Sequence, residues 1–353
     1  MLGLIAEVAA AAIKDAGLRR EDIDGLLTYG GDNSPSLVAE YAGIRPTRFA
    51  VGSQMAGASA GVALTIAAHV VATGMANYVM FVGGGARDPS NPRGSIFMAD
   101  VLRPTPPSGI PGEFVDPYGP AVPNGNFYAM IYTRHMYQYG TTSEQMARIA
   151  VNQRFNAQAN PLSAFYGQPI TVQDVLNSRW VNYPLHLLEV VMPAAGAIAF
   201  IVASAERARS LPNQPAYLLG AGVRQGYHNP WLNPDFTRVP AAESAPAAFQ
   251  MARYGPKDVQ FAQMYDCYTI LEAVSLEDCG ICPKGEIGPF FENTDTTYKG
   301  RFPINTDGGQ LSAGQLNGAG ASGTQQVVEA ARQLMGRAGE RQVARKDLAL
   351  VNL

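Results

Sequence analysis

The sequence predicts an α/β fold built from two halves. Three observations carry this. Apolar residues recur at helical spacing and then run together as short strands, in alternation. Glycine closes several of these elements and punctuates the strands. The alternation stops near Pro212 and then begins again. At roughly 100–200 residues per domain, the 353 residues suit two domains or one large layered unit.

The elements follow in order. Ile5, Val8, Ala9, Ala12, Ile13 and Ala16 mark a first helix, with Gly17 as its stop. No strand precedes it, and at the other end the strand Leu348–Val351 lies two residues from the last one. One element is therefore expected to be missing at each terminus. A second helix spans 60–72 and ends at Gly74. Tyr78–Val82 follows as a buried strand, closed by Gly83, Gly84 and Gly85. Residues 86–127 carry Pro104, Pro106, Pro107, Pro111, Pro117, Pro120 and Pro123 and read as a long loop. Loops of that length are usually functional, so this one is the candidate docking surface for a partner. Residues 128–160 read as helical, with Ser143 as a helix N-cap. Ile198–Val202 is a strand and Glu206–Ser210 a short helix. Past Pro212, Tyr217–Leu219 and Val259–Met264 read as strands, and Ala245–Arg253 and Leu271–Leu276 as helices. A glycine-rich stretch over 308–323 leads into the helix Thr324–Met335 and the last strand, Asp347–Val351.

Composition excludes several classes. The net charge of −3 gives no basic footprint for nucleic acid. Three cysteines form no disulfide framework. No run of 18 apolar residues could span a bilayer, and nothing resembles a signal peptide, so the expected compartment is the cytoplasm. Charged residues make up 16% of the chain, against about 25% in ordinary soluble domains. Part of the surface is therefore expected to be covered by another chain.

Few side chains suggest chemistry on their own. Cys279 and Cys282 form a single C-x-x-C pair, which cannot fill a tetrahedral zinc site. His69, on the second helix, reads as a core or interface histidine, and His135 and His186 have no partner signal. His228 lies in an aromatic, turn-rich segment, Gly226–Trp231, that could line an apolar substrate channel. The glycine-rich run lacks the G-K-[ST] of a phosphate loop.

Motifs along nearly the whole chain are more specific. AAIKDAGLRREDIDGLL (11–27) reads as a first helix and following strand. GASAGVALTIAAHVVATG (57–74), ARIAVNQRFNAQANP (147–161), YDCYTI (265–270), GICPKGE (280–286) and NTDGGQLSAG (305–314) complete the set. Together they resemble the thiolase superfamily, and within it the sterol-carrier-protein-type thiolases and the steroid side-chain aldolases of the lipid-transfer-protein group. The resemblance implies a five-layered αβαβα fold of two related halves, 1–212 and 213–353. It also implies an inserted loop domain at about 86–190 and a homodimer formed through the first half.

The sequence departs from thiolases where their chemistry resides. The nucleophilic Cys of the family falls on Gly57, which has no side chain to acylate. Ser53 and Gln54 are poor substitutes. The family's His base falls on Gln315, whose amide takes no proton at neutral pH. The Asp of its D-G-A turn is lost at 194–196, and its last Cys would fall past Leu353. The aldolase relatives imply another reaction: retro-aldol cleavage of a bulky β-hydroxyacyl-CoA, which needs no covalent intermediate. Tyr265, at the family's His-Asp-Cys-Phe motif, is then the candidate acid/base, with Asp266 orienting the loop. Backbone N–H groups near Gly57 or Gly309 would form the oxyanion hole, and Gln315, His228 and Tyr268 would line the pocket. Tyr268 and Cys267 also fit a plain packing role. The resemblance implies no cofactor in this chain, CoA only as part of the substrate, and a small OB-fold partner subunit that carries zinc. Two rival readings stand beside it. One is an acyltransferase on a β-ketoacyl-CoA, an aromatic one included, with a relocated nucleophile. The other is a non-catalytic acyl-CoA or lipid-binding subunit.

Overall fold

The computed structural model describes residues 1–30, 33–45, 48–85, 123–226, 233–316 and 322–353. Helix α1 (Leu2–Asp15) buries Ile5, Ala9 and Ile13, one turn apart, and ends at Gly17 with φ 70°. The strand β1 (Gly25–Thr28) is buried throughout. Helix α2 (Pro35–Ala42) starts on a proline, capped by the Ser34 hydroxyl, and stops at left-handed Gly43. Then come β2 (Phe49–Gly52), α3 (Ser59–Ala72) and β3 (Tyr78–Gly85).

The inserted region contributes α4 (Pro123–Tyr139) and α5 (Ser143–Ala157). The N-cap of α5 is Thr142, one residue before the expected Ser143. Its hydroxyl accepts from the Gln145 N–H while the Gln145 amide oxygen accepts from the Thr142 N–H. Short pieces follow: α6 (Val172–Asn177), β4 (Trp180–Asn182), β5 (Leu185–His186) and β6 (Pro193–Ala194). Strand β7 (Gly196–Ala203) and helix α7 (Ala205–Arg209) close the first half. The second half holds α8 (Ala241–Ala252), β8 (Phe261–Met264), α9 (Thr269–Asp278), α10 (Ile287–Asn293), β9 (Gln315–Leu316), α11 (Thr324–Leu334) and β10 (Ala349–Asn352).

The first sheet has the order β2-β1-β3-β7, with β7 antiparallel to β3 and the other pairs parallel. Alternate residues of each strand face opposite layers. Leu26, Met80 and Val82 pack under α1 and α2, while Leu27, Val79 and Phe81 pack on α3 together with Val327 of α11. In the second half β8 and β10 pair in parallel. Phe261 faces Ala330 of α11, and Ala262 and Met264 belong to the core around α9. Helices α3 and α11 are thus the middle layer of five, with a sheet on each side and helices outside both.

One sequence expectation changes. Tyr217–Leu219 is not a strand: residues 214–226 have no ladder partner among the described residues, and Tyr217, Leu218 and Leu219 stay half-exposed. Gly220 and Gly222 lie so close to the backbone of α8 that a Cβ on either would strike it. The helices of the inserted region pack into the core of the second half. Ile131, Tyr132, Met146 and Ile149 pack with Ala262, Met264, Ile270 and Val274. The proline-rich docking candidate falls, over 86–122, outside the described residues. No helix among the described residues is long and apolar enough to cross a membrane.

Candidate active site

Two turns from different halves meet at the middle layer. One, Met55–Ser59, leads into α3. The Ser59 hydroxyl closes it, donating to the Ala56 carbonyl at 2.7 Å and accepting from the Met55 N–H at 2.9 Å. Ala56 holds φ 47°, unusual for a residue with a side chain. The other, Tyr265–Tyr268, leaves β8, and the Tyr265 N–H still donates to the Asn352 carbonyl of β10 at 2.9 Å.

The Tyr265 side chain crosses to the first turn and covers Gly57. A Cβ placed on Gly57 would lie 2.5 Å from the Tyr265 hydroxyl oxygen and 2.6 Å from its Cε2. Real Cβ atoms do not approach so closely, so the phenol occupies the space in which any side chain at 57 would begin. Gly323, at φ 83°, backs the same spot; a Cβ there would strike the Gly57 carbonyl.

The phenol ends in a cluster of hydroxyls and amides. Tyr265 Oη lies 2.7 Å from Ser322 Oγ. Gln315 Nε2 donates to Tyr265 Oη at 3.2 Å and to Ser322 Oγ at 2.9 Å. Ser322 Oγ donates to Gln310 Oε1 at 3.1 Å. Burial pushes the Tyr265 phenol well above its ordinary range, more than the Ser322 and Gln315 hydrogen bonds lower it. It therefore stays neutral, able to donate a proton.

Asp266 faces the other way. Its carboxylate accepts the N–H groups of Gln310 and Leu311 at 3.0 and 3.1 Å and Gln326 Nε2 at 3.0 Å. It pins the π-type turn Gly309–Gly314, which delivers Gln315 to the site. Desolvation raises its pKa above the usual carboxylate range. Gly309 is not an open donor: its N–H is taken by Asp307 Oδ1 at 2.9 Å, and a Cβ on it would strike the Asp266 carboxylate. That part of the expected oxyanion hole is corrected.

Tyr268 caps α9 and stacks on Tyr128 with ring centroids 4.3 Å apart. Below the turn, buried Glu189 accepts from the His186 N–H and the Thr269 hydroxyl at 2.9 and 3.0 Å, and desolvation raises it to about 7. Cys267, Cys279 and Cys282 are free and buried. Burial pushes the Cys267 thiol up and the other two to about 12, so none of them is a ready thiolate. Among the described residues no His, Cys, Asp and Glu cluster could hold a metal. His228 lies outside the described residues. Ser322 and Gln310 were missed from sequence, because a serine and a glutamine in a glycine-rich run carry no signal of their own. Gly57 and Tyr265 line part of an extended cavity of about 2200 Å³ whose walls also include Phe127, Tyr128, Phe236, Leu271 and Leu316.

Comparison with known proteins places this geometry. The family model described as thiolase C-terminal domain-like matches residues 228–353. A steroid side-chain-cleaving aldolase of Thermomonospora curvata is 34% identical over 341 residues, which span 95% of this chain and 85% of that protein. The chain belongs to the thiolase superfamily. Within the superfamily it is also 33% identical to an acetyl-CoA acetyltransferase of Methanothermobacter thermautotrophicus, over 99% of this chain and 90% of that one. A solved structure titled Ltp2-ChsH2(DUF35) aldolase superposes with a TM-score of 0.85 at 33% identity, covering 99% of this chain and 88% of that chain.

Proposed function

We propose that this chain is a carbon–carbon lyase that cleaves a bulky β-hydroxyacyl-CoA by a retro-aldol reaction, giving a ketone or aldehyde and a shorter acyl-CoA. One observation carries the reading: a phenol fills the space above Gly57, where acyl transfer would need a nucleophile. The names of the aldolase relatives support it. The reaction balances without a covalent intermediate. A general base takes the β-hydroxyl proton, and the Cα–Cβ bond breaks with its electron pair passing into the thioester enolate. Cα then takes a proton, which the neutral Tyr265 hydroxyl supplies, and the proton held by the base afterwards returns Tyr265 to its neutral form. The Gln315 amide N–H steadies the phenolate left behind, and Asp266 keeps the Gln315 turn in place. The aromatic wall of Phe127, Tyr128 and Phe236 suits a large apolar acyl chain of the steroid side-chain type.

The protein acts in this reading as a cytoplasmic homodimer with a second, small subunit. A related solved structure whose title joins two components supports a partner; an OB-fold with a zinc ribbon is the form proposed here. The acetyltransferase relative keeps acyl transfer as the rival reading. Mass spectrometry of the complex after mixing with acyl-CoA separates the two. An intact, unmodified chain together with released carbonyl compound supports the lyase, and an acyl group on Cys267, Cys279 or Cys282 ends it. If the wild-type complex cleaves nothing, the binding-subunit reading replaces both.

A further inference from the structure

With the Gln315 and Gln310 amides oriented as they are here, which leaves Gln310 Nε2 without a hydrogen-bond partner among the described residues, the protons around Tyr265 run in one direction. Gln315 Nε2 can only donate, and it donates to both Tyr265 Oη and Ser322 Oγ. Gln310 Oε1 can only accept, and it takes the single Ser322 proton. The 2.7 Å contact between Tyr265 and Ser322 must then carry the Tyr265 proton toward Ser322. In the resting protein the chain of donors runs Tyr265 to Ser322 to Gln310. Gln310 is fixed in turn, because its own N–H is held by Asp266 at 3.0 Å.

We infer that Ser322 is the positioning residue for Tyr265, a hydroxyl rotor that holds the phenol in the resting state and turns toward its oxygen when the proton leaves. This inference rests on the lyase reading. At rest, Ser322 accepts from Tyr265 and fixes the ring torsion over Gly57. Once Tyr265 has given its proton to substrate carbon, its oxygen is an anion in a low-dielectric site. Gln315 already donates one N–H to it. Rotation about the Ser322 Cβ–Oγ bond moves the serine proton from Gln310 Oε1 to the phenolate and supplies a second donor. No atom is lost in the cycle: the Ser322 proton stays on Ser322 and only changes acceptor. Hydrogen bonds to a charged oxygen are stronger than those to a neutral one, so the rotor favours the state formed by proton transfer. Among the described residues Ser322 hydrogen-bonds the phenol and the two amides, which is why it positions rather than reacts.

The test uses the purified complex with three variants at this position and a probe on the tyrosine. Ser322→Ala is expected to lower kcat about 10- to 100-fold, the loss of one hydrogen bond to a charged group, with KM little changed. Ser322→Thr keeps the hydroxyl and is expected to restore most of the rate; Ser322→Cys is not. Independently of turnover, 3-fluorotyrosine at position 265 reports the hydrogen bonding of its own hydroxyl through its fluorine NMR resonance. That resonance should move in Ser322→Ala and return in Ser322→Thr. An unmoved resonance, or equal kcat in wild type and Ser322→Ala, overturns the inference. A wild-type complex that cleaves no β-hydroxyacyl-CoA overturns the lyase reading instead, while the fluorine resonance still decides whether Ser322 holds the phenol.

Discussion

The two turns that meet at the middle layer have opposite characters. Met55–Ser59 is made of small and apolar residues, is partly exposed, and contains no titratable group. Tyr265–Tyr268 is aromatic and mostly buried, and sits among acids whose pKa burial raises: Asp266, Glu272, Asp307 and Glu189. In a thiolase the reactive group belongs to the first turn, at a helix N-terminus. Here the first turn has become a floor, and in the proposed reaction the second supplies the reactive side chain. The difference teaches that the bare position at 57 and the phenol at 265 share one space. The phenol needs the space that the missing side chain leaves.

The strongest way to break this comparison is Tyr265→Phe. It keeps the ring over Gly57 and removes the hydroxyl. Cleavage should fall about 100- to 10,000-fold, the usual worth of a positioned proton donor, while the two lost hydrogen bonds lower stability by only about 1 kcal/mol; steady-state assay and calorimetry check both. Next is Gly57→Ala. The added methyl meets the phenol, and stability should drop by about 1–3 kcal/mol, as in other overpacked sites. If the two positions share one space, Gly57→Ala combined with Tyr265→Ala loses less than the sum of the single variants, which urea unfolding of all four forms measures.

A third prediction concerns the acidic side. Burial raises Glu189 to about 7 in the folded chain, above its unfolded value. Its stabilising contribution is therefore complete below the ordinary carboxylate range and is lost as pH rises through about 7. Unfolding free energy should decline as pH rises from about 5 to about 8, with a slope from this one group of at most about 1.4 kcal/mol for each step of one in pH. Glu189→Gln should flatten that slope. Last, Ser59→Ala removes two hydrogen bonds from the neutral turn. It should cost about 1 kcal/mol and leave the pH slope untouched.

The layers were legible because their signals are local. The spacing of Ile5, Ala9 and Ile13 names a helix face, and the run Tyr78–Val82 names a buried strand. Tyr217–Leu219 misled for a physical reason: an apolar triplet reports an extended chain, but ladder partners lie elsewhere in the sequence. The site was half legible. Gly57, Tyr265 and Gln315, whose places a motif fixes, do lie together. Gly309 was misjudged because the direction of a backbone N–H is set by its turn, and Asp307 takes it. Ser322 was invisible because its meaning lies wholly in three partners, the nearest of them seven residues away in sequence.

The central claim is that this scaffold breaks a carbon–carbon bond without an acyl-enzyme. Quenched mass spectrometry of the complex during turnover of a β-hydroxyacyl-CoA tests it most directly. The account predicts equal amounts of carbonyl product and shorter acyl-CoA, no added mass on the chain, and no consumption of free CoA. An acyl group carried by any residue of the chain, or a requirement for free CoA, would contradict it.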